Sequence, residues 1–233
     1  MLRAAEQRYA SATTYEDSGS VNEVLETVDG QVTMVMPFAT AFERGGRFLW
    51  TIRGSMVPGR SSDYTYTMWS KDQETYRTRW DLPAPWNARW PYGPPGQSGR
   101  FQSLELAMAA ATGISGGSAT VVVPLLRRDM EVAIRTTELK DPVVDGAEMI
   151  DGVACTRIRG KQSDEATVTV WLDDSGAIRR VYEAVETDPA GAPQLAGRRG
   201  IDGRFTSRTT TTIKPVFNAK IDDSKFAVPK DLH

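Results

Sequence analysis

Apolar and polar residues alternate most regularly between Thr167 and Val185. Val168, Val170 and Leu172 interleave with Thr167, Thr169 and Trp171, the two-residue period of a strand that buries one face. Asp173-Asp174-Ser175-Gly176 has turn chemistry, because Asp and Gly tolerate the backbone angles that reverse a chain. Ile178 to Val185 then returns to β-branched and aromatic residues. The pattern predicts a long antiparallel hairpin, too large to stand alone and requiring neighbours on both edges.

Earlier in the chain, Leu2, Ala5 and Tyr9 have helical spacing, which predicts a short amphipathic helix ending before Thr13-Thr14. Ser18 to Val28 reads as a strand, and Asp29-Gly30 is a hairpin signal leading to Val32, Met34 and Met36. Pro37 predicts a bend or bulge in that second strand. Thr40 to Glu43 and Phe48 to Arg53 form the next pair, around the turn Arg44-Gly45-Gly46-Arg47. Tyr64 to Ser70 and Thr75 to Trp80 form another.

Asp81 to Gly99 breaks the pattern. Pro83, Pro85, Pro91, Pro94 and Pro95 alternate with Trp86, Trp90 and Tyr92, a density of proline that predicts an irregular loop. Leu104 to Ala111 is helical by composition, with Leu104, Leu106, Ala107 and Met108 among strong helix formers and Gly113 placed to cap the end. Ile114 to Leu126 is ambiguous: Val121-Val122-Val123 favours a strand, and Pro124 opposes a regular one. Further strands are expected at Val132–Leu139, Val143–Ile150, Val153–Arg159 and Arg208–Lys214, with a long loop from Asp188 to Gly203. The sum is a mainly β (α+β) fold of roughly ten antiparallel strands with a few helices, in one domain over residues 1–233.

Composition narrows the function classes. A net charge of -2 and a pI near 5.6 argue against nucleic acid as a partner, since phosphates need a massed basic surface. No apolar run approaches a membrane-spanning helix. The single cysteine, Cys155, excludes an internal disulfide and reads as a small buried hydrophobe in a strand. The one histidine, His233, is the last residue, so a Ser/His/Asp or Cys/His arrangement would hang on a terminus. Zinc needs several Cys or His ligands, and the chain has two such residues in all. Gly113 to Ser118 is Gly-rich without the phosphate-loop pattern, and Asp145, Asp151, Asp173 and Asp174 fall in apparent turns. No catalytic constellation emerges, and no cofactor is implied. Six Trp, seven Phe, seven Tyr and eight Met remain, and they can fill a plain core or line an apolar cavity.

Several segments resemble the LolA-type lipoprotein carriers and an uncharacterised periplasmic branch of their superfamily. Thr40 to Trp50 is similar to a strand-turn-strand of that family, Asp151 to Ile158 and Thr169 to Asp173 to two later strands, Ala110 to Ser118 to a helix and loop, and Asn218 to Pro229 to its close. The resemblance implies a strongly curved antiparallel sheet, a half-open β-barrel whose concave face is covered by helices. It also implies a periplasmic role in binding a hydrophobic ligand: a lipid, an acyl chain or the acyl chains of a lipoprotein. The family arginine that holds the helical lid closed maps onto Arg44, where Gly45 replaces the family's proline.

Cavity positions map onto Phe48 and Trp50, and Met34, Met36, Leu106 and Met108 are expected to complete the lining. The same superfamily includes an envelope regulator that senses mislocalised lipoproteins, so a sensor domain with an envelope protein partner is the alternative. A second alternative is an enzyme of this fold with little side-chain chemistry. The opening in helical text, Leu2 to Tyr9, together with the resemblance, leads to the expectation of a secretion signal upstream of Met1.

Overall fold

The computed structural model describes residues 1–27, 30–55, 64–71, 75–81, 98–112, 115–130, 135–164, 166–187 and 205–227. Its elements are α1 (Leu2–Ser11), β1 (Thr14–Thr27), β2 (Gly30–Glu43), β3 (Arg47–Gly54), β4 (Tyr64–Ser70), β5 (Tyr76–Asp81) and β6 (Ser98–Phe101). After these come α2 (Leu104–Thr112), α3 (Ala119–Leu126), β7 (Lys140–Ile150), β8 (Val153–Lys161), β9 (Ala166–Asp173), β10 (Ile178–Thr187) and β11 (Phe205–Phe217). A 3-10 turn at Asp223–Phe226 follows. The strands form one antiparallel sheet in the order β6-β5-β4-β3-β2-β1-β11-β10-β9-β8-β7.

That order explains the architecture. The chain starts beside the middle of the sheet, steps outward to β6, crosses to β7 at the opposite edge, and steps back until β11 pairs with β1. The crossing carries α2 and α3 over the apolar face. The sheet stays open, because β6 and β7 are its two edges and do not pair. A single buried cluster joins Tyr76 on β5, Trp50 on β3, Val21 on β1, Val170 on β9 and Ile158 on β8 to all three helices, so one curved half-barrel wraps one core. Among the described residues, no helix is long and apolar enough to cross a membrane.

The hairpin from Thr167 to Val185 forms as the alternation predicts. Val168, Val170 and Leu172 enter the main core, while Trp171 joins Ile150 and Cys155 in a small cluster on the opposite face. Asp173 organises the turn: its Oδ1 accepts Ser175 N (2.9 Å), Ser175 Oγ (2.5 Å) and Ala177 N (3.0 Å), and its Oδ2 accepts Arg179 Nε (2.7 Å). Burial pushes this carboxyl up, but the bonds from Ser175, Arg179 and Ala177 outweigh it and hold Asp173 below the usual range. The N-terminal helix docks here, with Tyr9 Oη accepting Ile178 N at 3.1 Å.

Three expectations change, and one ambiguity is settled. Pro37 does not interrupt β2: the register with β1 runs through Ser20 opposite Pro37, and the ladder with β3 begins only at Phe38. The missing donor therefore falls where, among the described residues, β2 has no partner on that side. The ambiguity left at Ile114–Leu126 is settled over Ala119–Leu126, which is helical despite its valines and Pro124. Seven of its eight residues are buried, and a helix apolar all round is stabilised by burial rather than by propensity. The strand expected at Val132–Leu139 is absent from Arg135 onward, where Glu138 N bonds Arg135 O (2.9 Å) and the Arg135 guanidinium bonds the Met130 carbonyl (3.2 Å) to hold a turn. Ser98–Phe101, partly assigned to the proline loop, pairs with β5 as the edge strand. The Trp/Pro-rich segment 82–97, the capping Gly113, the loop 188–204 and His233 lie outside the described residues.

The hairpin gives the first prediction. Asp173→Ala leaves the amides of Ser175 and Ala177 and the Arg179 guanidinium without their acceptor, and should cost about 3 kcal/mol of unfolding free energy at neutral pH. Because the folded-state pKa is depressed, this contribution is present above the unfolded value and lost on acidification. Denaturant midpoints of variant and wild type should therefore converge as the pH falls below about 4.

Candidate functional site

The site grows from the turn between β2 and β3. Gly45 and Gly46 have φ of 114° and 149°, backbone that glycine supplies without strain, and they turn the chain sharply after Glu43. The turn sets Arg44 against the ends of two helices. Its Nε donates to Ala12 O just past α1 (2.9 Å), and one terminal nitrogen donates to Tyr9 O (3.4 Å) and to Leu126 O at the end of α3 (3.3 Å). Helix C-termini carry unsatisfied carbonyls and partial negative charge, so one guanidinium satisfies acceptors on both. The Arg44 backbone N–H also donates to Thr13 O (2.8 Å). Thus Arg44 ties α1 and α3 to the rim of the sheet, whereas α2 receives none of its bonds.

Beneath this tie lie most of the expected lining residues. Met36, Phe48, Trp50 and Met108 belong to one buried cluster, and Trp50 is only 1% exposed. Trp50 sits opposite Met68 on β4 and edge-on to Tyr66, with ring centroids 6.2 Å apart. Met34 is half-buried at the margin of the cluster. Leu106 departs from the expectation: at 59% exposed it faces away from the sheet. Helical spacing explains this, because Leu104, Ala107, Met108 and Ala111 form the buried stripe, and Leu106 lies outside it. The closed form is therefore packed where Phe48 and Trp50 sit.

Sequence reasoning did not find the acidic groups of the concave face. Tyr15, Asp17, Val21 and Glu23 occupy alternate positions of β1, so Asp17 and Glu23 share the inward side with core residues. Asp17 is buried; Tyr15 Oη donates to its Oδ2 at 2.8 Å, while its Oδ1 has no hydrogen-bond partner. Desolvation raises its pKa to about 6, against bonds that lower it. On β10, Glu183 sits two residues after buried Val181, and burial raises its pKa too. The signal was a carboxylate at a position where the alternation calls for an apolar residue. Among the described residues, no group of three or more His, Cys, Asp or Glu is placed to hold a metal ion.

No family model matches the chain, and no curated protein sequence matches it. Solved structures are similar along its length. A putative outer membrane lipoprotein-sorting protein domain from Vibrio parahaemolyticus is 12% identical, covering 97% of this chain and 95% of that one, with a TM-score of 0.37. LprF from Mycobacterium bovis is 12% identical, with coverages of 95% and 92% and a TM-score of 0.40. MucA/MucB from Pseudomonas aeruginosa, solved as a complex, gives 10% identity, coverages of 100% and 61%, and a TM-score of 0.43. Each is a likeness in chain fold only.

Two measurements probe this geometry. Arg44→Leu should raise amide hydrogen exchange at the C-terminal turns of α1 and α3 while leaving β9 and β10 protected; unchanged exchange in both helices would reduce Arg44 to a solvated turn residue. Asp17 predicts an unusual pH response, because its folded pKa lies above its unfolded one. Its protonated form is favoured by folding, so this group's contribution to stability declines as the pH rises from about 4 to about 6. Against Asp17→Asn, wild type should lose up to about 3 kcal/mol of relative stability across that window, read from denaturation midpoints.

Proposed function

We propose that the chain, acting as one LolA-like unit over residues 1–233, binds a hydrophobic ligand in the envelope, in the periplasm. The ligand is a lipid, an acyl chain or the acyl part of a lipoprotein, seated on the concave face of the sheet once the helices lift. The observation that carries this reading is the Arg44 tie. A large apolar sheet face is covered by three short helices, and one charged side chain at the rim joins the ends of two of them. Arg44 is exposed, so solvent screens its bonds and the tie is weak enough for a ligand's own burial, about 0.8 kcal/mol per methylene, to offset it. Met36, Met68 and Met108 suit such a surface, since thioethers repack around irregular apolar shapes.

A second reading, an interaction domain with an envelope protein partner, is favoured by one feature. β7 is an edge strand whose Val143, Val144 and Met149 are all exposed, and open edges with apolar side chains are templates for pairing.

The test is a titration of lipid-stripped protein with a solvatochromic dye, competed by a fatty acyl chain, with circular dichroism as the folding control. Wild type should bind saturably, and Arg44→Leu should speed uptake and release. Trp50→Glu should abolish binding, since an unpaired charge is strongly disfavoured among these apolar groups, and it should also lower stability because Trp50 is packed in the closed form. Leu106→Glu, on the outward side of α2, should change neither. Folded wild type without saturable binding would overturn the carrier reading in favour of the interaction domain.

A further inference from the structure

A cavity lies away from the packed region of Phe48 and Trp50, under the turn that leads into α3. It measures about 90 Å³ and is bounded by Glu183, Thr209, Thr211, Thr136, Gln162 and Val168, with Gly116 and Gly117 above. Strand register builds its floor. Glu23 on β1, Thr209 on β11, Glu183 on β10 and Val168 on β9 are successive cross-strand partners, so they form one row across four strands. The next row is Val21, Thr211, Val181 and Val170. Both glycines have positive φ, and the turn rides close to the floor. A Cβ on Gly116 would come within 3.3 Å of Glu23 Oε2, and one on Gly117 would lie 3.9 Å from Glu183 Oε2.

Several polar groups facing this space are not used by the fold, although Thr120 Oγ1 donates to Gly117 O (2.7 Å). Thr136, Thr209 and Thr211 are 7%, 8% and 2% exposed, yet among the described residues none of the three hydroxyls makes a side-chain hydrogen bond. Gln162 donates Nε2 to Arg135 O at 3.3 Å, and its Oε1 remains available as an acceptor. Among the described residues, the Glu183 carboxylate has neither a cationic partner nor a hydrogen bond, and burial raises its pKa. Polar atoms that line a cavity without protein partners are satisfied there by water or by a bound molecule.

We propose that this cavity seats an alkylammonium group, with Glu183 as its counter-ion. Its chemistry selects among ligands. Glu183 and Glu23 repel anions. A divalent metal is disfavoured because, among the described residues, no group of three or more His, Cys, Asp or Glu surrounds the space. An ammonium carries three donors, and here it meets a carboxylate, the hydroxyls of Thr209 and Thr211, and the Gln162 amide oxygen. The volume equals that of about three waters, enough for an ammonium and its first methylenes. Val121, Val168 and Val181 flank the same space and belong to the main apolar cluster, which gives an alkyl stem an apolar path. The route of a long stem rests on the carrier reading under Proposed function; the seat for the charged head does not.

The experiment is calorimetric titration of lipid-stripped protein at neutral pH with octylamine, octanol and ethylamine, on wild type, Glu183→Gln and Thr211→Val, with circular dichroism confirming each fold. Octylamine should bind wild type about tenfold or more tightly than octanol, the effect of one charge-assisted contact. Glu183→Gln should bring the two probes level without weakening octanol, and Thr211→Val should reduce the preference part of the way. Equal binding of octylamine and octanol to wild type would overturn the ammonium seat and leave the carrier reading standing. A preference that persists in Glu183→Gln would move it to another site and overturn this assignment. Glu183-dependent binding of ethylamine, with no binding of octanol, would keep the seat for small free amines and count against the carrier. If none of the three probes binds, the cavity holds water alone and the proposal falls.

Discussion

An open sheet with one apolar face must cover that face with the same chain. Here the cover is built into the connectivity: β6 and β7 follow one another in sequence but lie at opposite edges, so the link between them passes over the concavity. The link carries α2 and α3, and α1 enters from beside β1 to complete the cover. None of the three helices is long enough to be stable alone in water. Each therefore holds its shape only while packed on the sheet, and whatever loosens that packing exposes the apolar face.

Arg44 matters because it acts where this dependence is concentrated. Its turn belongs to the rigid β2–β3 hairpin, and its acceptors are carbonyls at the ends of α1 and α3. A donor on the sheet joined to acceptors on two helices ties the helices' position to a few hydrogen bonds at the rim. Elsewhere in the same hairpin, Arg47 bonds Glu43 and Asp223 and lies over the Phe226 ring, fastening the C-terminal 3-10 turn to the outer face. Neighbouring arginines thus serve opposite sides of the sheet.

The carboxylates show how environment rather than residue type decides a role. Asp173 is buried but receives several donors, so it stays ionised and fixes a turn. Asp17 is bonded by Tyr15 and faces Thr40, yet burial outweighs these donors and drives it toward the neutral form. Glu183 has no donor among the described residues and faces a small cavity.

Much of this was legible in sequence because it is local. Two-residue alternation fixed the strands from Thr167 to Val185 and which of their side chains face the core; Leu2, Ala5 and Tyr9 fixed the first helix; Gly45-Gly46 fixed the turn that aims Arg44. These depend on backbone geometry within a few residues, which the sequence states directly. What lay beyond it depends on burial by distant segments. Val121 to Leu126 became helical because tertiary contacts surround it, overriding its strand propensity. Leu106 turned outward because Leu104, Ala107, Met108 and Ala111 took the sheet side. The row of Glu23, Thr209 and Glu183 joins residues far apart in the chain, and only the pairing of β1 and β10 with β11 brings them together. Periodicity tells which way a side chain points along its own strand; the register between strands, set by the whole sheet, decides what it meets.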